Sequence, residues 1–221
     1  MTTSARARAV RGFSFIEILV VMGIIAVLVG LGIGIYGLAA KKTPIVKTHA
    51  LVGKMRTNID LFRGKFRAIP PSDLTRIAIV TGLPIKVGKP TPSNTTNMGI
   101  EALYQCLMMP GFDNNPDIDA DLCNTDEDNL DKALARSGAK ELFEVKDAYG
   151  NPLVYMVEAD YAVFDKDPPA YVTKNGETVY PRPWKAEGGN GFAQPNAYQL
   201  YSMGADDLPN TPDDIRSWRT D

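Results

Sequence analysis

Hydrophobic residues dominate one end of the chain, where the stretch from Ile18 to Ala40 contains no charged side chain. A helix rises about 1.5 Å per residue, so this stretch would form a rod of roughly 35 Å, enough to cross a hydrocarbon core of about 30 Å. After Lys41 the apolar residues recur at three- and four-residue spacing, which predicts an amphipathic helix with one face on a core. Pro44 predicts a kink or a short break near the junction. The expected face comprises Ile45, Thr48, Val52, Met55, Ile59, Phe62 and Phe66.

Beyond that helix, short apolar segments alternate with loops rich in proline and glycine. Pro70-Pro71 end the helix, and Ser72-Asp73 are placed to cap a short helix over 74–80. The same reasoning predicts helices over 99–109 and 130–142, and strands over 153–157 and 198–202. The predicted fold class is therefore α+β, with a long N-terminal α-helix packed on a small antiparallel β-sheet.

Charge is distributed unevenly around the apolar stretch. Residues 1–12 carry Arg6, Arg8 and Arg11 and no acid, and positive charge before an apolar helix holds that end in the cytoplasm. Glu17 is a lone carboxylate at the entrance of the helix, and burying it in lipid is costly unless a partner compensates. On topology alone a plain signal anchor explains this pattern. The combination of Gly12, Phe13 and Glu17 favours a more specific interpretation.

Residues 12–20, Gly-Phe-Ser-Phe-Ile-Glu-Ile-Leu-Val, resemble the class III signal of type IV pilins and type II secretion pseudopilins. The resemblance implies that a prepilin peptidase cuts between Gly12 and Phe13, and that the new N-terminal Phe13 is N-methylated. It also implies that Glu17, the fifth mature residue, pairs with the N-terminal amine of a neighbouring subunit during assembly. The physics agrees, because an ammonium and a carboxylate that are each costly to bury become tolerable as a pair.

Two later segments are similar to the major pseudopilin of type II secretion systems. One is the turn at 147–152 with the strand that follows it, and the other runs from strand 198–202 into the segment 203–218. In that family the second segment closes around a calcium ion, so the resemblance implies a C-terminal calcium-binding loop. The expected ligands are Asp206, Asp213 and Asp214 through their carboxylates, and Met203 and Asn210 through nearby backbone carbonyls, which are oxygen donors of the kind Ca²⁺ prefers. Asp207 stands where the family has glycine, and turn capping by some of these acids is the alternative.

The middle of the chain contains a second acidic region and the two cysteines. Between Asp113 and Asp131 lie eight acidic residues and no basic one, so a solvated acidic loop and a partial EF-hand match both remain open. Cys106 and Cys123 flank part of this segment. In an oxidising exterior compartment we expect the two to form a disulfide worth roughly 3 kcal/mol, with two buried free thiols as the alternative.

The expected organisation is a leader at 1–12, a transmembrane and assembly helix at 13–40, an amphipathic half of the stem at 41–69, and a globular head at 70–221. The head departs from the family around 110–131 and 165–196, which are predicted insertions. A net charge of −2 does not favour nucleic-acid binding. A single histidine and the absence of GxSxG, P-loop and HExxH motifs argue against an enzyme.

The resemblance implies a structural subunit of a type II secretion pseudopilus, which polymerises through its N-terminal helix to drive protein export across the outer membrane. Its expected partners are copies of itself, a prepilin peptidase, other pseudopilins and the secretion assembly platform. We expect a single-pass inner-membrane protein with its head in the periplasm, which becomes part of the pseudopilus on assembly. A type IV pilin for adhesion, motility or DNA uptake, or a minor pseudopilin, is the alternative.

Overall fold

The structure of the 221-residue chain is a computed structural model that describes residues 15–82, 95–109, 111–112, 117–128, 141–188 and 191–218, with the side chains of 30–41 outside the description. The chain divides into two units, Met1–Thr43 and Pro44–Asp221. Gly12 and Phe13 lie outside the described residues, as does most of the helix predicted over 130–142.

In the first unit the described residues form the beginning of helix α1, which extends over Phe15–Phe66. All side chains from 15 to 29 are exposed, with Phe15 at 81% and Leu28 at 62% of their full accessible surface. Within the described part of the chain, no helix combines the length and the hydropathy needed to cross a membrane. The predicted transmembrane segment 13–40 includes residues 13–14 and the side chains of 30–40, which lie outside the description.

The later part of α1 supplies one wall of the core in the second unit. Pro44 lies inside the helix, which continues through it without the predicted break. Ile45 is exposed and Phe66 is half-buried, so the buried face is shorter than the spacing predicts. The rest of the predicted face is buried, namely Thr48, Val52, Met55, Ile59 and Phe62.

Short helices and strands make up the other described elements of the second unit. They are, in chain order within each type, α2 (Ile77–Thr81), α3 (Met98–Met108), α4 (Glu158–Phe164), β1 (Leu122–Cys123), β2 (Glu144–Val145), β3 (Val154–Val157), β4 (Tyr171–Val172), β5 (Thr178–Val179), β6 (Tyr198–Ser202) and β7 (Ile215–Arg216). Before α2 lies a 3-10 helix, Leu74–Arg76, whose start is capped as predicted: Asp73 accepts a hydrogen bond from the backbone N–H of Thr75 at 2.7 Å. A second 3-10 helix spans Asp119–Asp121. Helix α4 was not predicted.

The main sheet is antiparallel in the order β3–β6–β7. Its register pairs Val154 with Tyr201 and Ser202 with Ile215. Every residue of β3 is buried. Helix α3 packs closely on this strand, since a Cβ on Gly99 would stand 2.1 Å from the carbonyl oxygen of Tyr155. Two-stranded pairs β1–β2 and β4–β5 complete the described strands. The structure confirms an α+β fold with an N-terminal helix and small antiparallel sheets.

The predicted insertion at 165–196 covers the core of this unit rather than presenting its aromatic side chains to solvent. Tyr171 is fully buried, and Trp184 and Phe192 pack against the core with part of their surface exposed. Gln199 of β6 is buried, accepts a hydrogen bond from the N–H of Trp184 at 2.7 Å and donates one to its carbonyl at 3.0 Å. Tyr180 is the exception, at 59% exposure.

The structure does not contain the predicted disulfide. Cys106 is a buried free thiol in α3 and Cys123 is a half-buried free thiol on β1. The pairing of β1 with β2 places Cys123 opposite Glu144, and the Cys123 thiol lies 3.8 Å from the Glu144 carbonyl oxygen, a weak hydrogen bond. Burial raises the pKa of both thiols, so neither is poised for thiolate chemistry.

Candidate functional site

Glu17, the predicted assembly residue, lies in the first turn of α1 and its side chain is exposed. A carboxylate is stabilised at this end of a helix, because the first backbone N–H groups and the helix dipole favour negative charge. Gly12 and Phe13, between which cleavage is predicted, lie outside the described residues. The structure therefore describes one of the three residues on which the processing and assembly prediction rests.

The turn at 147–152 is organised by the buried carboxylate of Asp147. One of its oxygens accepts hydrogen bonds from the N–H groups of Tyr149 and Asn151, at 2.9 and 3.0 Å. The other accepts a hydrogen bond from the hydroxyl of Ser202 at the end of β6. Burial raises the pKa of Asp147, and the hydrogen bonds from Ser202 and Asn151 offset only part of that rise. The carboxylate thus fixes the turn before β3 and attaches it to β6.

The same contacts join the two segments that resemble the pseudopilin. Ser202 accepts a hydrogen bond from the N–H of Gly204 at 3.1 Å, and Asn151 donates one to Asp207 at 2.6 Å. Asp207 has a φ of 61°, the left-handed conformation in which glycine is easiest and aspartate is tolerated. Partial burial raises its pKa, but hydrogen bonds from Lys174 and Asn151 outweigh this, so the net pKa is lowered. These contacts make Asp207 compatible with the position where the family has glycine.

Asp213, a predicted calcium ligand, closes the loop 203–214 through hydrogen bonds. One carboxylate oxygen accepts the N–H groups of Ala205 and Asp206, at 2.7 and 3.3 Å, and the other accepts the hydroxyl of Thr211 at 2.6 Å. Partial burial raises the Asp213 pKa, but these hydrogen bonds lower it by more. Gly204 has a φ of 69°, and a Cβ there would stand 2.5 Å from this carboxylate. Only glycine therefore fits this position without displacing Asp213.

Asp214 differs from its neighbour because it is buried. It accepts the N–H of Asn210 at 2.9 Å, and burial followed by the negative charge of Asp213 raises its pKa to about 7. Asp206 accepts the N–H of Leu208 at 2.9 Å. The Asn210 side chain is hydrogen-bonded to the backbone of Arg182, and Met203 is fully buried.

As placed, the three loop aspartates do not fit one shared calcium ion. Their carboxylates accept hydrogen bonds from the loop itself, and their oxygens do not all lie within 4.8 Å of one another. Among the described residues, the acids that do meet this distance are Glu101, Asp126 and Glu144. An open groove beside the loop is lined by residues that include His49 and Arg216. Calcium binding by this loop stays a prediction.

The sequence reasoning did not single out Glu101 or Glu144. The apolar positions 100, 103 and 107 of α3 predict one buried face, whereas every residue from Gly99 to Leu107 is buried. An acid inside an apolar helix was the available signal, but periodicity alone cannot show that the polar face of a helix is covered as well.

Comparisons with known proteins bear on the N-terminal segment. Residues 7–33 match the family model of the prokaryotic N-terminal methylation motif, which is typical of type IV pilin-like proteins. The match includes Gly12, Phe13 and Glu17, and the motif implies processing by a prepilin peptidase and assembly into pilus-like polymers. No curated protein and no solved structure matches the chain.

Proposed function

We propose that this chain is a structural subunit of a type II secretion pseudopilus and has no catalytic role. The observation that carries the proposal is the methylation motif at 7–33, whose residues from Phe15 onward lie on helix α1, where the side chains from 15 to 29 are exposed and, apart from Glu17, uncharged. Burying apolar surface yields about 25 cal/mol per Å², so an exposed apolar surface of this extent favours either lipid or the stems of other subunits.

In the proposed mechanism, lipid covers the stem until assembly, and the arginine-rich leader holds the N-terminus in the cytoplasm. The peptidase cuts between Gly12 and Phe13 and so creates a positively charged amine. As a subunit leaves the membrane for the filament, neighbouring stems replace lipid around it. The Phe13 amine then pairs with Glu17 of a neighbour, which fixes the register of the stems because either charge alone would be costly to bury.

Two observations favour a pseudopilus over another pilus-like polymer. The turn at 147–152 and the loop at 203–214 resemble the pseudopilin in sequence, and the contacts of Asp147 with Ser202 and of Asn151 with Asp207 join them. A calcium ion in the C-terminal loop is part of the proposal. Binding there would require the carboxylates of Asp206, Asp213 and Asp214 to come closer together, because they do not form a group with oxygens within 4.8 Å of one another. Their hydrogen bonds within the loop still leave lone pairs for an ion.

The direct test is mass spectrometry of the full chain expressed with a prepilin peptidase and the assembly machinery. We expect a mature chain that begins at an N-methylated Phe13, and filaments that can be sheared from the cells. Glu17→Gln should leave cleavage intact and lower filament yield at least tenfold, because it removes the charge while keeping the shape. Glu17→Asp is the matched control and should retain part of the assembly. A chain that keeps Met1 or Thr2 would contradict the proposal.

Deleting the gene in its host separates the pseudopilus from the alternative type IV pilin. We expect secreted proteins to accumulate in the periplasm while surface motility and DNA uptake continue. Normal secretion with lost adhesion, motility or DNA uptake would instead assign the chain to a type IV pilus.

A further inference from the structure

Three carboxylates from separate elements meet beside α3. Glu101 lies in the first turn of α3, Glu144 on β2, and Asp126 in the loop after β1. Each offers an oxygen that lies within 4.8 Å of the others. Glu101 and Glu144 are fully buried and Asp126 is half-buried. We call these three residues the carboxylate cluster.

Among the described residues, side-chain and backbone donors hold Glu144 in place within this cluster. Glu144 accepts the side-chain N–H of Asn97 at 2.8 Å and the backbone N–H of Thr125 at 3.2 Å. Asn97 is itself buried and fixed, because its carbonyl accepts the N–H of Val172 at 3.0 Å. Glu144 is therefore held in a defined orientation by residues from three parts of the chain.

Glu101 and Asp126 are less well supplied with donors. Both carboxylate oxygens of each are buried and lack a hydrogen-bond partner of normal geometry in the described part of the chain. Burial raises the pKa of Asp126, and the backbone N–H groups of Asp126 and Asp128 offset only part of that rise. The described ion pairs do not reach the cluster either. Asp128 lies against Glu101 and adds further negative charge. A buried carboxylate with few donors and with acidic neighbours is strongly unfavourable, so a proton or a cation must compensate.

The arrangement suits a cation with a preference for oxygen. Ca²⁺ takes six to eight oxygen ligands at about 2.4 Å, so two oxygens on the same ion can be up to about 4.8 Å apart. Mg²⁺ demands a near-ideal octahedron and usually keeps several water ligands, which fits a buried group of three carboxylates less well. Three carboxylates, some of them bidentate, would supply most of a calcium coordination shell, and water at the half-exposed Asp126 side would supply the rest.

We propose that Glu101, Asp126 and Glu144 bind a calcium ion that attaches the acidic segment 117–128 to α3 and β2. The oxygens of Glu101 and Asp126 that lack donors become ligands, while Glu144 is already oriented by Asn97 and Thr125. This site is separate from the C-terminal loop and does not depend on the proposed filament function. It also gives the acidic segment a structural role, with Asp126 as the member that contacts the ion.

The test uses the full-length chain in detergent, stripped with chelator and then titrated with CaCl₂. We expect calcium to raise the melting temperature of the wild type and to bind at this site with measurable heat. Glu101→Gln should remove one bound ion per chain or weaken its binding at least tenfold. In chelator, the same variant should melt at or above the wild-type temperature, because it removes an uncompensated buried charge.

Two controls keep the result specific. Asp119→Asn changes an exposed acid of the same segment and should bind calcium at the cluster as the wild type does. Asp213→Asn tests the C-terminal loop, so calcium lost only in that variant would assign binding to the loop and overturn this proposal. If Glu101→Gln does not fold, Asp126→Asn serves as the test variant in its place, and this variant should also lose the bound calcium ion. A wild type stabilised by mild acid and unaffected by calcium would mean that protons neutralise the cluster, which also overturns the proposal.

Discussion

The C-terminal loop and the carboxylate cluster are both rich in acids, but they differ in their supply of hydrogen-bond donors. In the loop, Asp207 and Asp213 accept bonds from amides, a hydroxyl and a lysine, and their pKa values are lowered. In the cluster, burial and then neighbouring acids raise the pKa of Glu101, while burial raises that of Glu144 to about 7 despite its donors. The comparison teaches that the number of acids in a segment does not locate a cation site. What matters is whether the fold already satisfies those acids.

The largest expected effect comes from forcing the loop open. Gly204→Ala should destabilise the protein by about 3 kcal/mol, since it combines the strain of a positive φ with a clash against Asp213. Gly176→Ala is the matched control, because Gly176 has a φ of 79° with no atom within 4 Å of the added Cβ, and it should lose only about 1 kcal/mol. Urea unfolding of both variants measures the difference. Equal losses would show that Asp213 does not hold the loop in this conformation.

A smaller effect on the free energy of unfolding, of about 1 kcal/mol, should distinguish Asp213 from Asp214 when divalent ions are chelated. Asp213 has a lowered pKa, so its contribution to stability is present above about pH 4 and is lost as the pH falls. Asp213→Asn should therefore be less stable than the wild type at pH 7. Asp214 has a pKa raised to about 7, so it favours the folded state at low pH and loses that contribution as the pH rises from about 4 to 7.

Asp214→Asn should accordingly match the wild type near pH 4 and exceed its stability above pH 7. Unfolding curves at several pH values give the measurement. Asp214 is the one loop acid that resembles the cluster, because it is buried beside a second negative charge. If both variants lost stability at pH 7, donor supply would not be the property that separates the two regions.

The smallest expected effect concerns the two thiols, Cys106 in α3 and Cys123 opposite Glu144. Cys106 and Cys123 are free in the structure, so reducing agent should change the free energy of unfolding by less than about 0.5 kcal/mol, whereas a closed disulfide loop would be worth roughly 3. Titration with a thiol reagent in the unfolded state should count two thiols per chain. A count of zero free thiols before reduction would show that the disulfide forms. The disulfide, rather than the proposed ion, would then connect the acidic segment to α3.

Much of the fold could be predicted because its signals are local. The spacing of Val52, Met55, Ile59 and Phe62 predicts which face of α1 is buried, and Asp73 predicts the start of the next helix. Strands β3 and β6 were predicted almost to the residue. Helix α4 was missed because 158–164 lacks a clear apolar period, and its helical conformation depends on the packing of residues such as Tyr161.

The sequence by itself determined the N-terminal methylation motif, the apolar stem and the α+β class, because each depends on residues that are close together in the chain. Only the tertiary structure decided that Asp147 is bonded to Ser202, that Cys123 lies opposite Glu144, and that Asp213 is satisfied by its own loop. The same holds for the meeting of Glu101, Asp126 and Glu144. A carboxylate's chemistry depends on nearby donors and charges, and folding brings these from distant positions that no local pattern records.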